Sequence, residues 1–216
     1  VLLGWTLLGG LDTLNELLRD AIEPRWGAMV YQLALVGAFS LIGALLVGVT
    51  TALGGGTIRD LLLDRNIFWV ADQAYLMTAL GTGLATFFIA RSLTLPPKLF
   101  LIPDAIGLAL FTIVGTQVAL QWHTPWLAAS LMGVITGVVG GVLRDILCND
   151  VPLVFLRGEL YATAAWIGAL SLIALQEIGV PSVSAAWAAM AIVLALRLLA
   201  MRFHLTLPAF GQQKAP

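Results

Sequence analysis

Charge is what this sequence has least of. Only 11% of its 216 residues are Asp, Glu, Lys or Arg, where a soluble domain carries about 25%. There is too little polar surface here to face water on every side. A net charge of −1 argues against a nucleic-acid partner, which would need a basic face. The single cysteine, Cys148, excludes an internal disulfide and has no metal-ligand spacing around it. His123 and His204 stand alone near the ends of apolar runs, so neither a metal site nor acid–base chemistry is indicated. Enzyme signatures are missing as well: there is no Gly-x-Ser-x-Gly, His-Glu-x-x-His or phosphate-binding Gly-Lys-Ser/Thr. Neither an enzyme nor a resident cofactor is expected. The opening Val1-Leu2-Leu3 has no basic stretch before it, so no cleavable signal is expected there.

What is present in excess is apolar length. Hydrophobic residues make up 60% of the chain, and they fall into runs of about 20 residues, the length an α-helix needs to cross the hydrocarbon core. The runs are Ala28–Leu53, Ala74–Ala90, Leu99–Leu120, Trp126–Gly141, Val154–Leu175 and Val183–Met201. A shorter run, Val1–Leu11, precedes a segment rich in acids and is read as a seventh span. Proline and polar clusters at Thr94–Lys98, Gln121–Pro125 and Gln176–Pro181 mark short connections. Trp5, Trp26, Trp69, Trp122 and Trp126 lie near span ends, as an aromatic belt requires. The fold expected is all-α, a multi-pass protein of the cell (inner) membrane whose obligatory partner is the lipid bilayer. Apart from the motif arginines discussed next, basic residues collect after the odd-numbered spans. Those after the last span are Arg202 and Lys214, so the C-terminus is expected in the cytoplasm.

The chain also repeats itself. Laying Gly55 on Gly140, an offset of 85 positions, gives identities at Gly48/Gly133, Val49/Val134, Thr51/Thr136, Gly55/Gly140, Gly56/Gly141, Arg59/Arg144, Asp60/Asp145 and Leu62/Leu147. Paired glycines alone would say little in a chain with 22 of them. An Arg-Asp pair at the same offset, in a chain so poor in charge, marks a true repeat. The two copies are three spans apart, an odd number of crossings, so the halves are inverted. Inverted repeats are a common transport architecture with the working site where the halves meet. The scheme is two three-helix repeats, residues 1–91 and 99–176, followed by a seventh helix at 183–203, all in one membrane domain.

Glycines in a helix interior cost about 1 kcal/mol each relative to alanine. Gly54-Gly55-Gly56 and Gly140-Gly141 therefore invite a break or hinge, tolerated at membrane depth where the freed backbone lines a wet path. Thr50, Thr51 and Thr136 precede the glycines by about a turn, where their hydroxyls could line that path or bond back to helix carbonyls. The alternative for the glycines is close helix packing. Arg59 and Arg144 are expensive in hydrocarbon, and successive residues diverge on a helix, so Arg59 is not expected to pair with its neighbour Asp60. The inverted symmetry suggests crosswise pairs instead, Arg59 with Asp145 and Arg144 with Asp60. The alternative puts both motifs at the membrane interfaces, with the arginines reaching the headgroups. Asp104 opens the fourth span and is placed to cap that helix.

Gly54-Gly55-Gly56-Thr57-Ile58-Arg59-Asp60-Leu61-Leu62-Leu63 together with Gly140-Gly141-Val142-Leu143-Arg144-Asp145 resembles the paired motif of the bacterial branch of the trimeric intracellular cation (TRIC) channel family. Asp104-x-x-Gly107-x-x-x-Phe111, Pro152 and Glu159-Leu160-Tyr161-Ala162-Thr163 are similar to that branch too, and the resemblance runs from about Leu46 to Pro208. It implies a homotrimer of seven-helix protomers, each with a potassium-permeable pore. The pore would be lined and hinged by Thr50, Thr51, Gly54, Gly55, Gly56, Thr136, Gly140 and Gly141, with Arg59, Asp60, Arg144 and Asp145 as locks or gate. Potassium would be the permeant ion, with no other cofactor beyond a bound lipid. Bacterial relatives are also linked to uptake of small amino acids such as glycine, so a secondary transporter is the alternative. A purely structural membrane protein is a third.

Overall fold

The computed structural model describes residues 27–92, 101–156 and 160–203, with the backbone alone at 27–36, 38 and 39. The expected first span, Val1–Leu11, lies outside the described residues. The chain divides into two compact units, Val1–Ala44 and Leu45–Pro216, and every candidate site residue lies in the second.

Seven α-helices and one 3-10 turn make up the described residues, with no strand among them. They are α1 (Gly27–Leu62), α2 (Phe68–Ala71), α3 (Gln73–Ser92), α4 (Leu101–Gln121), α5 (Trp126–Leu147), the 3-10 turn Leu153–Phe155, α6 (Tyr161–Glu177) and α7 (Ser182–Phe203). Five helical stretches are long and apolar enough to cross a membrane: Ser40–Leu62 of α1, and α3, α4, α5 and α7. Helix α6 starts at Tyr161, later than the expected Val154. The chain from Pro152 to Leu156 is spent on an extended residue and a 3-10 turn, which leaves α6 only 17 residues. The chain is a polytopic α-helical membrane protein.

Two helices are longer than their apolar runs suggest. Helix α1 continues from Leu53 to Leu62 and α5 from Gly141 to Leu147. The glycines do not interrupt either helix. Beyond them, Ile58, Leu61 and Leu62, and in α5 Leu143, Ile146 and Leu147, extend the helix to a shared ending. Asp64 and Asn149, again 85 positions apart, both take positive φ, 49° and 58°. Asp and Asn tolerate that left-handed conformation better than other side chains. The Leu63 and Cys148 amides close onto the Arg59 and Arg144 carbonyls at 3.0 and 2.9 Å. The repeat thus extends from sequence to backbone geometry.

Helices α4 to α7 form the core, built largely from alanine and glycine. One cluster joins Leu108, Ala109, Val138, Tyr161, Ala165 and Val193, and another joins Ile113, Leu172, Ala185 and Ala189. Small residues let membrane helices approach until backbones touch; in α5, Gly133 and Gly137 lie against Thr116 and Thr112 of α4. Many of the large apolar side chains point outward instead, among them Met77, Phe88, Val183 and Trp187. In water such a surface would drive aggregation; against lipid tails it is satisfied. Trp122 and Trp126 bracket the α4–α5 turn and are exposed, as interfacial anchors should be.

Candidate functional site

The two repeat motifs meet where α1 crosses α5. A Cβ built on Gly55 would overlap the carbonyl oxygen of Thr136, and one built on Gly140 would overlap the carbonyl oxygen of Thr51. These contacts are images of each other under the 85-residue offset, so a pseudo-twofold axis passes through the crossing. Gly54 fits beside Leu143 in the same interface, where an added Cβ would stand 2.6 Å from the leucine Cδ1. Only residues without a Cβ permit this approach. The register, Thr51 beside Gly140 and Gly55 beside Thr136, makes the helices antiparallel, as inverted repeats demand. The hydroxyls of Thr51 and Thr136 donate to the carbonyls of Val47 and Met132, both at 2.6 Å. Of the two roles open to these threonines, bonding back to the helix is the one occupied. Thr50 is half-buried beside Gly54. The expected break at the glycines is absent, and close packing is what they provide.

Each helix ends in an Arg-Asp clamp. In the first repeat, Arg59 donates from Nε to Asp60 Oδ1 at 2.8 Å, with an Nη2 contact at 2.7 Å. Asp60 Oδ2 accepts the amide of Phe68, the first residue of α2, at 2.9 Å. In the second repeat, Arg144 donates from Nε to Asp145 Oδ1 at 2.8 Å, and Asp145 Oδ2 accepts the amide of Leu153 at 3.0 Å. Both aspartates therefore hold the first amide of the short element eight residues on, α2 in one repeat and the 3-10 turn in the other, where a carboxylate satisfies an orphan amide. The Trp69 indole donates to Thr57 Oγ1 at 2.9 Å and fastens α2 a second time. Trp69→Phe and Thr57→Val should each lower stability by about 1 kcal/mol, and the double variant should be little worse than either. Thermal unfolding of the three variants checks this.

The clamps correct the crosswise pairing. Arg59 pairs with its own Asp60 and Arg144 with its own Asp145. In the antiparallel register, Arg59 lies level with Met132 in the second turn of α5, while Asp145 lies beyond Thr51 in the other direction. At 1.5 Å per residue the two are about 20 Å apart along the axes, out of reach of any side chain. The divergence of neighbouring helical positions is overcome by the arginine stem, which folds back to lay the guanidinium edge on the carboxylate. Both arginines occupy the last turn of their helices, where a cation offsets the exposed carbonyls. Arg59 is nevertheless buried rather than reaching out to solvent.

Other members of the site are harder to see in the sequence. Asp104 sits in the first turn of α4, but its Oδ1 receives Arg144 Nη1 at 2.7 Å, tying α4 to α5. Tyr161, the first residue of α6, brings its hydroxyl 3.0 Å from a Cβ position on Gly141, with Arg144 and Asp104 also within 4 Å. Arg197, buried in α7, stacks its guanidinium 4.7 Å from the Tyr161 ring centroid. Arg197 escapes a reading by hydropathy because one charge is lost in the apolar average of α7. A buried ionisable residue inside a span is the signal that could have found it. Among the described residues no group of three or more His, Cys, Asp or Glu could hold a metal.

Comparison with known proteins places this arrangement. Residues 26–91 and 101–177 match the family described as “Glycine transporter”. The chain is 43% identical over 172 residues to the UPF0126 inner membrane protein YadS of Escherichia coli K12, covering 78% of this chain and 83% of that protein. It is 40% identical to a UPF0126 membrane protein of Vibrio cholerae, with 80% and 72% covered. Among solved structures, it resembles the TRIC trimeric intracellular cation channel orthologue from Rhodobacter sphaeroides at 34% identity and a TM-score of 0.67, covering 80% of this chain and 98% of that one. A second structure, described as giving the structural basis for conductance through TRIC cation channels, matches at 36% identity and a TM-score of 0.71, with 83% and 95% covered.

Proposed function

We propose that this chain, which belongs to the UPF0126 membrane proteins and to the family described as “Glycine transporter”, is a monovalent-cation channel permeable to potassium. The observation that carries the reading is the symmetric crossing of α1 and α5 at Thr51–Gly140 and Gly55–Thr136, in a chain similar to proteins named as cation channels. Inverted halves place their functional site where they meet, and in this chain they meet at those residues. Thr50, Thr51, Gly54, Gly55, Gly56, Thr136, Gly140 and Gly141 line or hinge the path in this proposal, and the two Arg-Asp clamps act as its locks. No Thr-Val-Gly-Tyr-Gly filter occurs in the sequence, so selectivity among monovalent cations is expected to be weak. The working form is a homotrimer in the inner membrane with a lipid bound to it, a path in each protomer and the C-terminus in the cytoplasm. Each protomer is one membrane domain of two repeats, about 1–91 and 99–176, with the seventh helix at 183–203.

A second reading, transport of a small amino acid such as glycine, is favoured by one feature. Asp104, Arg144, Tyr161 and Arg197 bring both signs of charge to one end of the helix bundle, and a zwitterion needs both. Proteoliposomes separate the readings. A channel dissipates a potassium gradient at a rate that does not saturate with glycine and is unaffected by it. Saturable glycine uptake with no potassium leak would overturn the channel reading.

A further inference from the structure

The pseudo-twofold makes the clamps look equivalent, but their surroundings differ. The first clamp is built from one stretch of chain. Asp60 is held by Arg59, by Arg65 at 3.6 Å and by the Phe68 amide, all between positions 59 and 68. The Phe68 ring closes over Gly56, 2.6 Å from its Cβ position, lies 5.7 Å from the Arg59 guanidinium and meets Tyr75 edge-on at 5.0 Å. Arg65 reaches further, to lie over Trp122 at 5.2 Å, but a cation on an exposed indole is a weak, solvated contact. The second clamp is built from four helices. Arg144 of α5 is shared between Asp145 and Asp104 of α4. The face of Gly141, the counterpart of Gly56, is covered by the Tyr161 hydroxyl of α6, and Arg197 of α7 stacks on that tyrosine.

We propose that the clamps are unequal latches: the first-repeat end opens alone, with α2 and its Phe68 ring as the moving lid, while the second-repeat end stays shut as a fixed anchor. Releasing the first latch breaks the Asp60–Phe68 and Trp69–Thr57 hydrogen bonds and lifts one ring off Gly56, all between α1 and α2, leaving the helix bundle in place. Releasing the second requires α4 and α6 to part from α5, with Arg197 of α7 stacked behind Tyr161. The two ends lie on opposite faces of the membrane, so access through the protein is gated from one side only. That consequence for conduction rests on the channel reading; the order of opening does not.

Hydrogen–deuterium exchange of the wild-type protein in lipid nanodiscs tests this without any flux. After correction for intrinsic rates, the Phe68 amide should exchange at least about tenfold faster than the Leu153 amide, since each is held by an equivalent bond to a carboxylate. Asp104→Asn removes the added carboxylate from the second latch and should raise the Leu153 rate by about tenfold, with Phe68 unchanged. Equal wild-type rates, or slower exchange at Phe68, would overturn the proposal whatever the variant does. An unchanged Leu153 rate in a folded Asp104→Asn protein would overturn the account of why the latches differ. A protein that exchanges as expected yet passes no potassium would contradict the channel reading and leave the unequal latches standing.

Discussion

Adding one methyl group at Gly55 or Gly140 will destabilise the protein by about 2 kcal/mol or more, the range of overpacked cores, and will abolish most of its flux. The added Cβ would meet a backbone carbonyl, that of Thr136 or Thr51, and backbone cannot swing aside as a side chain can. The helices must separate along their whole contact, which disturbs both halves because the crossing is shared between them. Gly81→Ala is the matched control, since a Cβ there has nothing within 4 Å; helix propensity alone would make it neutral or stabilising by about 1 kcal/mol. Thermal unfolding in detergent, read alongside potassium flux, distinguishes the outcomes. Equal melting temperatures for Gly55→Ala and Gly81→Ala would mean that the crossing is looser than the structure gives.

Arg144→Leu is the second large effect. It leaves Asp104 and Asp145, with side chains 4% and 11% exposed, without the guanidinium between them. Removing one partner of a buried ion pair costs about 3–5 kcal/mol, chiefly because the charges left behind stay desolvated. Arg144→Lys should fall between, as an ammonium cannot present the guanidinium edge to Asp145 while reaching Asp104. Combining Arg144→Leu with Asp104→Asn should recover part of the loss by removing one stranded charge. Stability of the four proteins against unfolding measures this; a double variant no better than Arg144→Leu would show that Asp104 is satisfied by other means.

Most of the architecture is legible in residue order alone, because apolar length and the 85-residue offset are both properties of that order. The offset even carries details of backbone: the positive φ at Asp64 and Asn149 and the shared eight-residue reach of Asp60 and Asp145. The site is less legible. Counting crossings puts the two motifs on opposite faces of the membrane, and that is incompatible with Arg59 meeting Asp145 unless both lie near the midplane. The antiparallel register settles the matter against crosswise pairs. The glycines read as breaks because each costs about 1 kcal/mol in helix propensity, yet the backbone contact they allow is long-range and offsets that cost. No window along the chain could reveal that Thr136 would be the neighbour. Asp104, Tyr161 and Arg197 belong to three separate helices, so only the packing of α4 and α6 on α5, and of α7 on α6, brings them together.

The measurement closest to the central claim is planar-bilayer recording of the purified protein in asymmetric potassium chloride. The channel reading predicts discrete unitary currents whose reversal potential lies toward that of potassium, and which disappear when Gly55 or Gly140 is replaced by leucine. A silent bilayer from protein that takes up glycine saturably into liposomes would contradict it, and would make the crossing of α1 and α5 the heart of a carrier instead of a channel.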